Sequence, residues 1–300
     1  MKLSTLIENA TRFNGKVVAV AAAEDEEVIE AVHLALENNL ASFHLFGNET
    51  EIKSLLTKHG IEKNEHIVIH HANTKARAAE LAVKAVSSND ADILMKGNIP
   101  TSTILKAVLN KEYGLRTGSV LSHVAVFEVP GFDQLIFVTD AAMNIAPDVQ
   151  EKAQIVQNAV NVAISIGISK PKVAPLAAVE VVNPTMQATL DAAILSQMQV
   201  RGQITDCKVD GPLALDNAVS LEAAEHKGIT GEVAGQADIL LVPTIEVGNV
   251  LYKSLIYFAK AKVGAMIAGA KAPIVLTSRA DSAESKLYSL ALAVCSVANK

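Results

Sequence analysis

Five short stretches carry residue types that could hold an anion or move a proton: "MKGNIPTST" (95–103), "TDAAMN" (139–144), "DGPLALDNA" (210–218), "PTIEVGNVLYK" (243–253) and "TSRADSAES" (277–285). The last points most directly to anion chemistry. Arg279 carries a planar guanidinium able to fork a phosphate, and Thr277 and Ser278 add hydroxyl donors. If Asp281 or Ser282 caps a following helix, its free N–H groups and positive dipole end face back toward the Ser-Arg pair. The same letters also spell an ordinary capping box, Asp281-x-x-Glu284, beside a surface arginine. In "DGPLALDNA", Asp210-Gly211-Pro212 is a strong chain breaker. Asp216 and Asn217 then either cap the next segment, or Asp210 and Asp216 line a cleft as a carboxylate pair. In "PTIEVGNVLYK", Gly248 and Asn249 at a helix opening would leave backbone N–H groups approachable, with Lys253 one turn inside; the alternative is an amphipathic helix with solvated lysines. "MKGNIPTST" presents Lys96, Gly97 and Asn98 with Pro100 near a helix start, and "TDAAMN" presents Asp140.

Other chemistries find no support. G-x-S-x-G, Walker A and G-x-G-x-x-G patterns are absent from the chain, which argues against hydrolase, P-loop and dinucleotide readings. His70-His71 has no third ligand at metal spacing, so no metal is assigned. Cys207 and Cys295 lie far apart and form neither a disulfide framework nor a zinc pattern. With a net charge of -6 and no basic cluster, a nucleic-acid partner is not expected. No uncharged apolar run reaches the roughly 18 residues of a membrane span, and the amino terminus lacks a signal-like apolar core. The expectation is a soluble, cytoplasmic protein.

The polar stretches need elements to position them. The 300 residues are 50% hydrophobic but only 4% aromatic and hold no Trp, so the core must be built from Ala, Val, Leu and Ile. Short apolar runs at 16–22, 42–47, 66–71, 91–97, 172–182, 202–209, 237–244, 264–269 and 272–278 alternate with segments of helical period such as 24–39 and 73–90. That alternation predicts an α/β protein with a largely parallel sheet. Runs 122–129 and 134–142, joined through "PGFD", read as a hairpin. Pro147 opens a long helix on this reading. The expected domains are residues 1–143 plus 273–300, and residues 144–272. Every polar stretch follows an expected strand, and ligands of parallel α/β sheets gather at the carboxyl ends of strands.

Taken in order, these strand ends resemble one family, the phosphate acetyltransferase/phosphate butyryltransferase family. "AAAEDEEVIEAV" and "FVTDAAMNIAPDVQEKAQIV" look like further blocks of it, so the similarity spans essentially the whole chain. The wording "MKGN", "TDAAMN" and "LTSRADS", with a length near 300, is similar to the butyryltransferase branch; the acetyltransferase branch is the alternative. The resemblance implies two α/β domains with a central cleft, similar in fold to isocitrate and isopropylmalate dehydrogenases. It implies a homodimer or higher homo-oligomer, with 144–272 dimerising. The implied reaction is acyl-CoA plus phosphate to acyl phosphate plus CoA, in butyrate and fatty acid metabolism, with coenzyme A and phosphate as substrates and no tightly bound cofactor. The family's Ser-Arg pair maps onto Ser278 and Arg279, for oxyanion and phosphate respectively. The family's acidic base lies six or seven positions past the serine, where this chain has Glu284 and Ser285; Glu284 is the carboxylate available. One family arginine falls at Lys106 and another at Tyr257, with Arg116 a nearby replacement. Outside this class, the rivals are an NAD-dependent hydroxy-acid dehydrogenase on the same fold and a non-catalytic CoA- or phosphate-binding protein.

Overall fold

This computed structural model describes residues 1–13, 15–276 and 281–298. Along the chain run α1 (Leu3–Ala10), β1 (Val17–Ala21), α2 (Glu26–Glu37), β2 (Ser42–Gly47), α3 (Glu49–Lys58), β3 (Ile67–His71), α4 (Lys75–Ser87), β4 (Ile93–Lys96) and α5 (Thr101–Val108). There follow β5 (Ser122–Glu128), β6 (Leu135–Thr139), α6 (Val149–Ser165), β7 (Lys172–Pro175), α7 (Gln187–Val200), β8 (Lys208–Val209), α8 (Leu215–Val219) and α9 (Leu221–His226). The chain closes with β9 (Ile239–Leu241), α10 (Ile245–Tyr257), β10 (Lys262–Ala268), β11 (Ile274–Val275) and α11 (Ala283–Ala298). The α/β expectation is met.

The chain forms two compact units, Leu3–Ser119 with Gly264–Lys300, and Met1–Lys2 with Val120–Val263. The breaks fall at 119/120 and 263/264, where the sequence suggested 143/144 and 272/273. The hairpin β5–β6 belongs with the later strands because β6 pairs in parallel with β9, from Phe137↔Ile239 to Thr139↔Leu241.

In the unit holding the amino-terminal elements, the strand order is β3-β2-β1-β4-β11-β10. The first five strands are mutually parallel, and β10 runs antiparallel to β11. The strands β1 and β4 are buried almost throughout, as expected for a sheet covered on both faces. Helix starts follow local chemistry: Asp25 accepts the Val28 N–H before α2, and Thr74 accepts the Arg77 N–H before α4. Helix α11 buries Leu287 through Cys295 in this unit and packs on α1 and α2. Its close approach to β10 depends on Gly264, where an added Cβ would lie 2.9 Å from the Tyr288 carbonyl carbon.

In the other unit the order is β5-β6-β9-β7-β8. The hairpin pairs Ala125↔Val138 through Glu128↔Leu135, antiparallel as the sequence indicated. Helix α6 starts two residues later than Pro147 suggested, because Asp148 caps it in a full capping box with Glu151. Two expected strands shrink. The run 172–182 ends as a strand at Pro175, with a single bridge beyond it from Leu176 to Leu213, and 202–209 pairs only at Lys208–Val209, since Gly202 and Asp206 adopt positive φ.

Candidate active site

Strands β1, β4 and β11 are parallel neighbours, with Ala21↔Lys96 and Val275↔Met95 in register. Their carboxyl ends therefore leave the sheet side by side. The Gly97 N–H donates to the Ala21 carbonyl at 2.8 Å and the Asn98 N–H to the Ala22 carbonyl at 2.7 Å. A Cβ on Gly97 would come within 2.1 Å of the Ala22 oxygen, so only glycine permits this approach. Lys96 is buried, and its Nζ donates to the Gly97 carbonyl at 3.2 Å. Pro100 stands at the cap position of α5 and supplies no side-chain bond, leaving the N–H groups of that helix start to other acceptors. Lys106, on α5, and Arg116, after it, are both exposed. Thr277, Ser278 and Arg279 lie outside the described residues.

The start of α11 decides between the two capping schemes. The Ser285 N–H donates to Ser282 Oγ at 3.2 Å, and the Lys286 N–H donates to the Ser282 carbonyl at 3.1 Å. Ser282 is the cap, so the third helical position belongs to Ser285 and the Asp281–Glu284 box gives way. Glu284 is instead exposed and accepts the Tyr288 hydroxyl at 2.8 Å, one turn on along the helix.

The remaining expected site residues lie in the other unit. Asp140 follows β6 and is 2% exposed. Its carboxylate accepts N–H bonds from Ala142, Met143 and Asn144 at 2.9, 3.0 and 3.1 Å, and the Asn144 amide at 2.6 Å. Four donors occupy the roughly four acceptor sites of a carboxylate, so Asp140 shapes its own loop. Gly248 packs against that loop: an added Cβ would meet the Asp140 carbonyl oxygen at 2.7 Å. The sequence placed Gly248 and Asn249 at a helix opening; the helix begins at Ile245, and the Gly248 N–H is taken by the Thr244 carbonyl at 3.1 Å. The glycine serves close packing rather than anion access. Asn249 and Lys253 are exposed on α10. Asp210, at the end of β8, lies against Gly231, whereas Asp216 sits within α8 at 4.0 Å from Lys227. Neither Asp216 nor Asn217 caps a helix, because Ser220 caps α9 through the Ala223 N–H.

Two features were not anticipated from the sequence. Following the β5–β6 ladder past Ala125↔Val138 brings His123 level with Asp140, and the Thr139 hydroxyl donates to the His123 carbonyl at 2.8 Å. The His123 ring lies edge-on to Tyr252 of α10, with centroids 5.9 Å apart. Lys152 of α6 and Asp191 of α7 form a buried ion pair at 2.5 Å, with Gln187 Nε2 donating to the second Asp191 oxygen at 2.8 Å. This pair edges a small recess at the ends of β7 and β9, alongside Pro175, Leu176, Leu241 and Pro243. The residues around Lys152 carry no local signal of this pairing.

Among the described residues, no group of three or more His, Cys, Asp or Glu side chains could hold a metal ion. No helix is long and apolar enough to cross a membrane among them. Burial pushes the Cys207 and Cys295 thiols up to about 11. A thiol so protonated is a poor nucleophile, so neither cysteine suits covalent catalysis.

The family model "Phosphate acetyl/butaryl transferase" matches residues 63–294. A probable phosphate butyryltransferase from Bacillus subtilis is 62% identical over 295 residues, covering 98% of both chains. A phosphate butyryltransferase from Clostridium acetobutylicum is 55% identical over 285 residues, covering 95% of this chain and 94% of the other. The crystal structure of a branched-chain phosphotransacylase from Enterococcus faecalis superposes with a TM-score of 0.81 at 39% identity, covering 94% of this chain and 99% of that one. A 4-hydroxythreonine-4-phosphate dehydrogenase from Klebsiella pneumoniae is a distant neighbour at TM-score 0.55 and 11% identity, over 94% of this chain and 99% of that one, a likeness of fold alone.

Proposed function

We propose that this chain, which belongs to the phosphate acetyl/butaryl transferase family, is a phosphate butyryltransferase interconverting butyryl-CoA plus phosphate with butyryl phosphate plus CoA. The observation that carries this reading is 62% identity spread over 98% of the chain, with both lengths matched. No covalent enzyme intermediate is needed. The CoA thiol loses its proton to Glu284, held near the helix start by the Tyr288 hydroxyl, and the thiolate attacks the acyl phosphate carbonyl. Arg279 and the α11 N-terminus neutralise the departing phosphate, and Ser278 serves the oxyanion. Lys96, beside Gly97 and Asn98 at the end of β4, adds positive charge to the same strand ends. Lys106, Arg116 and Thr277 are further proposed substrate contacts; Asp210, Asp216, Asn249 and Lys253 are proposed as polar contacts within their own unit, while Asp140 and Gly248 are engaged in holding their own loop. In this reading the two units are the two domains, the amino-terminal one including the carboxyl-terminal helix.

The active form on this proposal is a homodimer or higher homo-oligomer of the cytoplasm, working in butyrate and fatty acid metabolism. Helix α10 supports self-association. It is rich in apolar residues, yet Gly248 is its one buried residue, while Val250 is 65% exposed and Phe258, just past its end, 87%. Apolar surface of that kind marks an interaction face.

The test is phosphate-dependent thiol release from acyl-CoAs of two to five carbons. Fastest release with C4–C5 chains is the expected result. A preference for acetyl-CoA moves the chain to the acetyltransferase branch, and no phosphate dependence with any chain overturns the proposal. Arg279→Ala should lower turnover at least about a hundredfold, in line with loss of a charge-stabilising donor at a reacting oxyanion.

A further inference from the structure

A buried lysine lies behind the start of α11, and nothing in the proposed chemistry uses it. Lys286 has a side chain only 3% exposed. Its Nζ reaches two oxygens on different segments: Glu27 Oε2 at 2.9 Å, in the first turn of α2, and the Asp281 carbonyl at 2.6 Å, just ahead of the α11 cap. The Lys286 N–H also closes the first helical turn on the Ser282 carbonyl. One residue therefore grips the α11 entry from both its backbone and its side chain and ties it to the helix that follows β1. We propose that Lys286 is a positioning residue for phosphate: it fixes the orientation of the α11 N-terminus against α2. This inference rests on the reading that the α11 N-terminus takes the phosphate.

Burying a cation is costly without compensation, so a lysine used only for packing would be replaced by an apolar residue at no loss. The compensation here is specific. Glu27, 52% exposed, stays solvated while accepting the bond, and the Asp281 oxygen supplies the second partner. An anion site needs its donors held before the ligand arrives, because ordering them afterwards subtracts from binding. Loosening the α11 entry should therefore weaken phosphate more than acyl-CoA.

The experiment is steady-state kinetics of Lys286→Met, Lys286→Arg and Glu27→Gln with both substrates varied, together with thermal unfolding. In Lys286→Met, KM for phosphate should rise about tenfold while KM for butyryl-CoA moves less than about twofold. Lys286→Arg keeps a donor for each oxygen and should return the phosphate KM to within about threefold of wild type. Glu27→Gln leaves the Asp281 bond in place and should raise it about threefold, and this variant decides the matter should Lys286→Met not fold. A purely structural lysine would lower the melting temperature and the active fraction without shifting the phosphate KM. That result, or an equal rise in both KM values, overturns the inference while phosphate-dependent turnover of wild type upholds the function. Absence of that turnover in wild type overturns both.

Discussion

Breaking the Lys152–Asp191 pair should cost more than removing it. The charges stand 2.5 Å apart with side chains 6% and 7% exposed. At an effective dielectric of about 20, that separation gives an attraction of about 7 kcal/mol. Several kcal/mol of desolvation per ion offset it, so the intact pair contributes little net stability. Lys152→Met keeps the volume and removes the charge. Asp191 is then left buried with the Gln187 amide as its remaining bond from the pair's network, at an expected cost of about 3–5 kcal/mol. With an m-value of about 3 kcal/mol/M for a chain of this size, the urea midpoint should fall by about 1–1.7 M. The double variant Lys152→Met/Asp191→Leu removes both charges and fills the space, and should lie within about 2 kcal/mol of wild type. Urea titrations followed by far-ultraviolet circular dichroism on the four proteins of the cycle measure this. A double variant as unstable as the sum of the two single ones would show that the residues do not act as a pair, and would refute the reasoning.

Gly97→Ala forces a Cβ to within 2.1 Å of the Ala22 oxygen, a backbone atom that cannot swing aside. It should cost about 1–3 kcal/mol and most of the activity; a variant with wild-type melting temperature and turnover would contradict this. The two buried thiols, raised to about 11, should ignore a disulfide reagent at pH 8 and react only on unfolding. The unfolded chain loses those protons first, near the free-cysteine value, so this contribution to stability is whole below pH 8 and declines as pH climbs toward 11. Cys207→Ala and Cys295→Ala together should flatten the decline in thermal scans between pH 8 and 10.5; an unchanged slope would assign it to other groups.

Much of the architecture is carried by local signals. Alternation of apolar runs with helical periods identifies the α/β class, and the strand 42–47 and the "PGFD" hairpin are legible to the residue or nearly so. The strand ends could be named as the places where chemistry gathers, because in a parallel sheet the loops that follow each strand share one edge. What a local signal cannot contain is which segment lies beside which. Apolar runs 172–182 and 202–209 look like long strands, yet only Lys172–Pro175 and Lys208–Val209 find ladder partners. Gly97 is obligatory because of Ala22, and Gly248 because of Asp140, neighbours set by pairing and packing at long range. Asp281-x-x-Glu284 has the spacing of a capping box, but the helix starts one residue on and gives the cap to Ser282. No local pattern sets Lys152 or Lys286 apart from other lysines; only the fold brings Asp191 and Glu27 to them. Composition and period thus determine the elements and their class, because those follow from each residue and its near neighbours. Burial, register and the pairing of charges belong to the tertiary structure, because each depends on atoms contributed by distant parts of the chain.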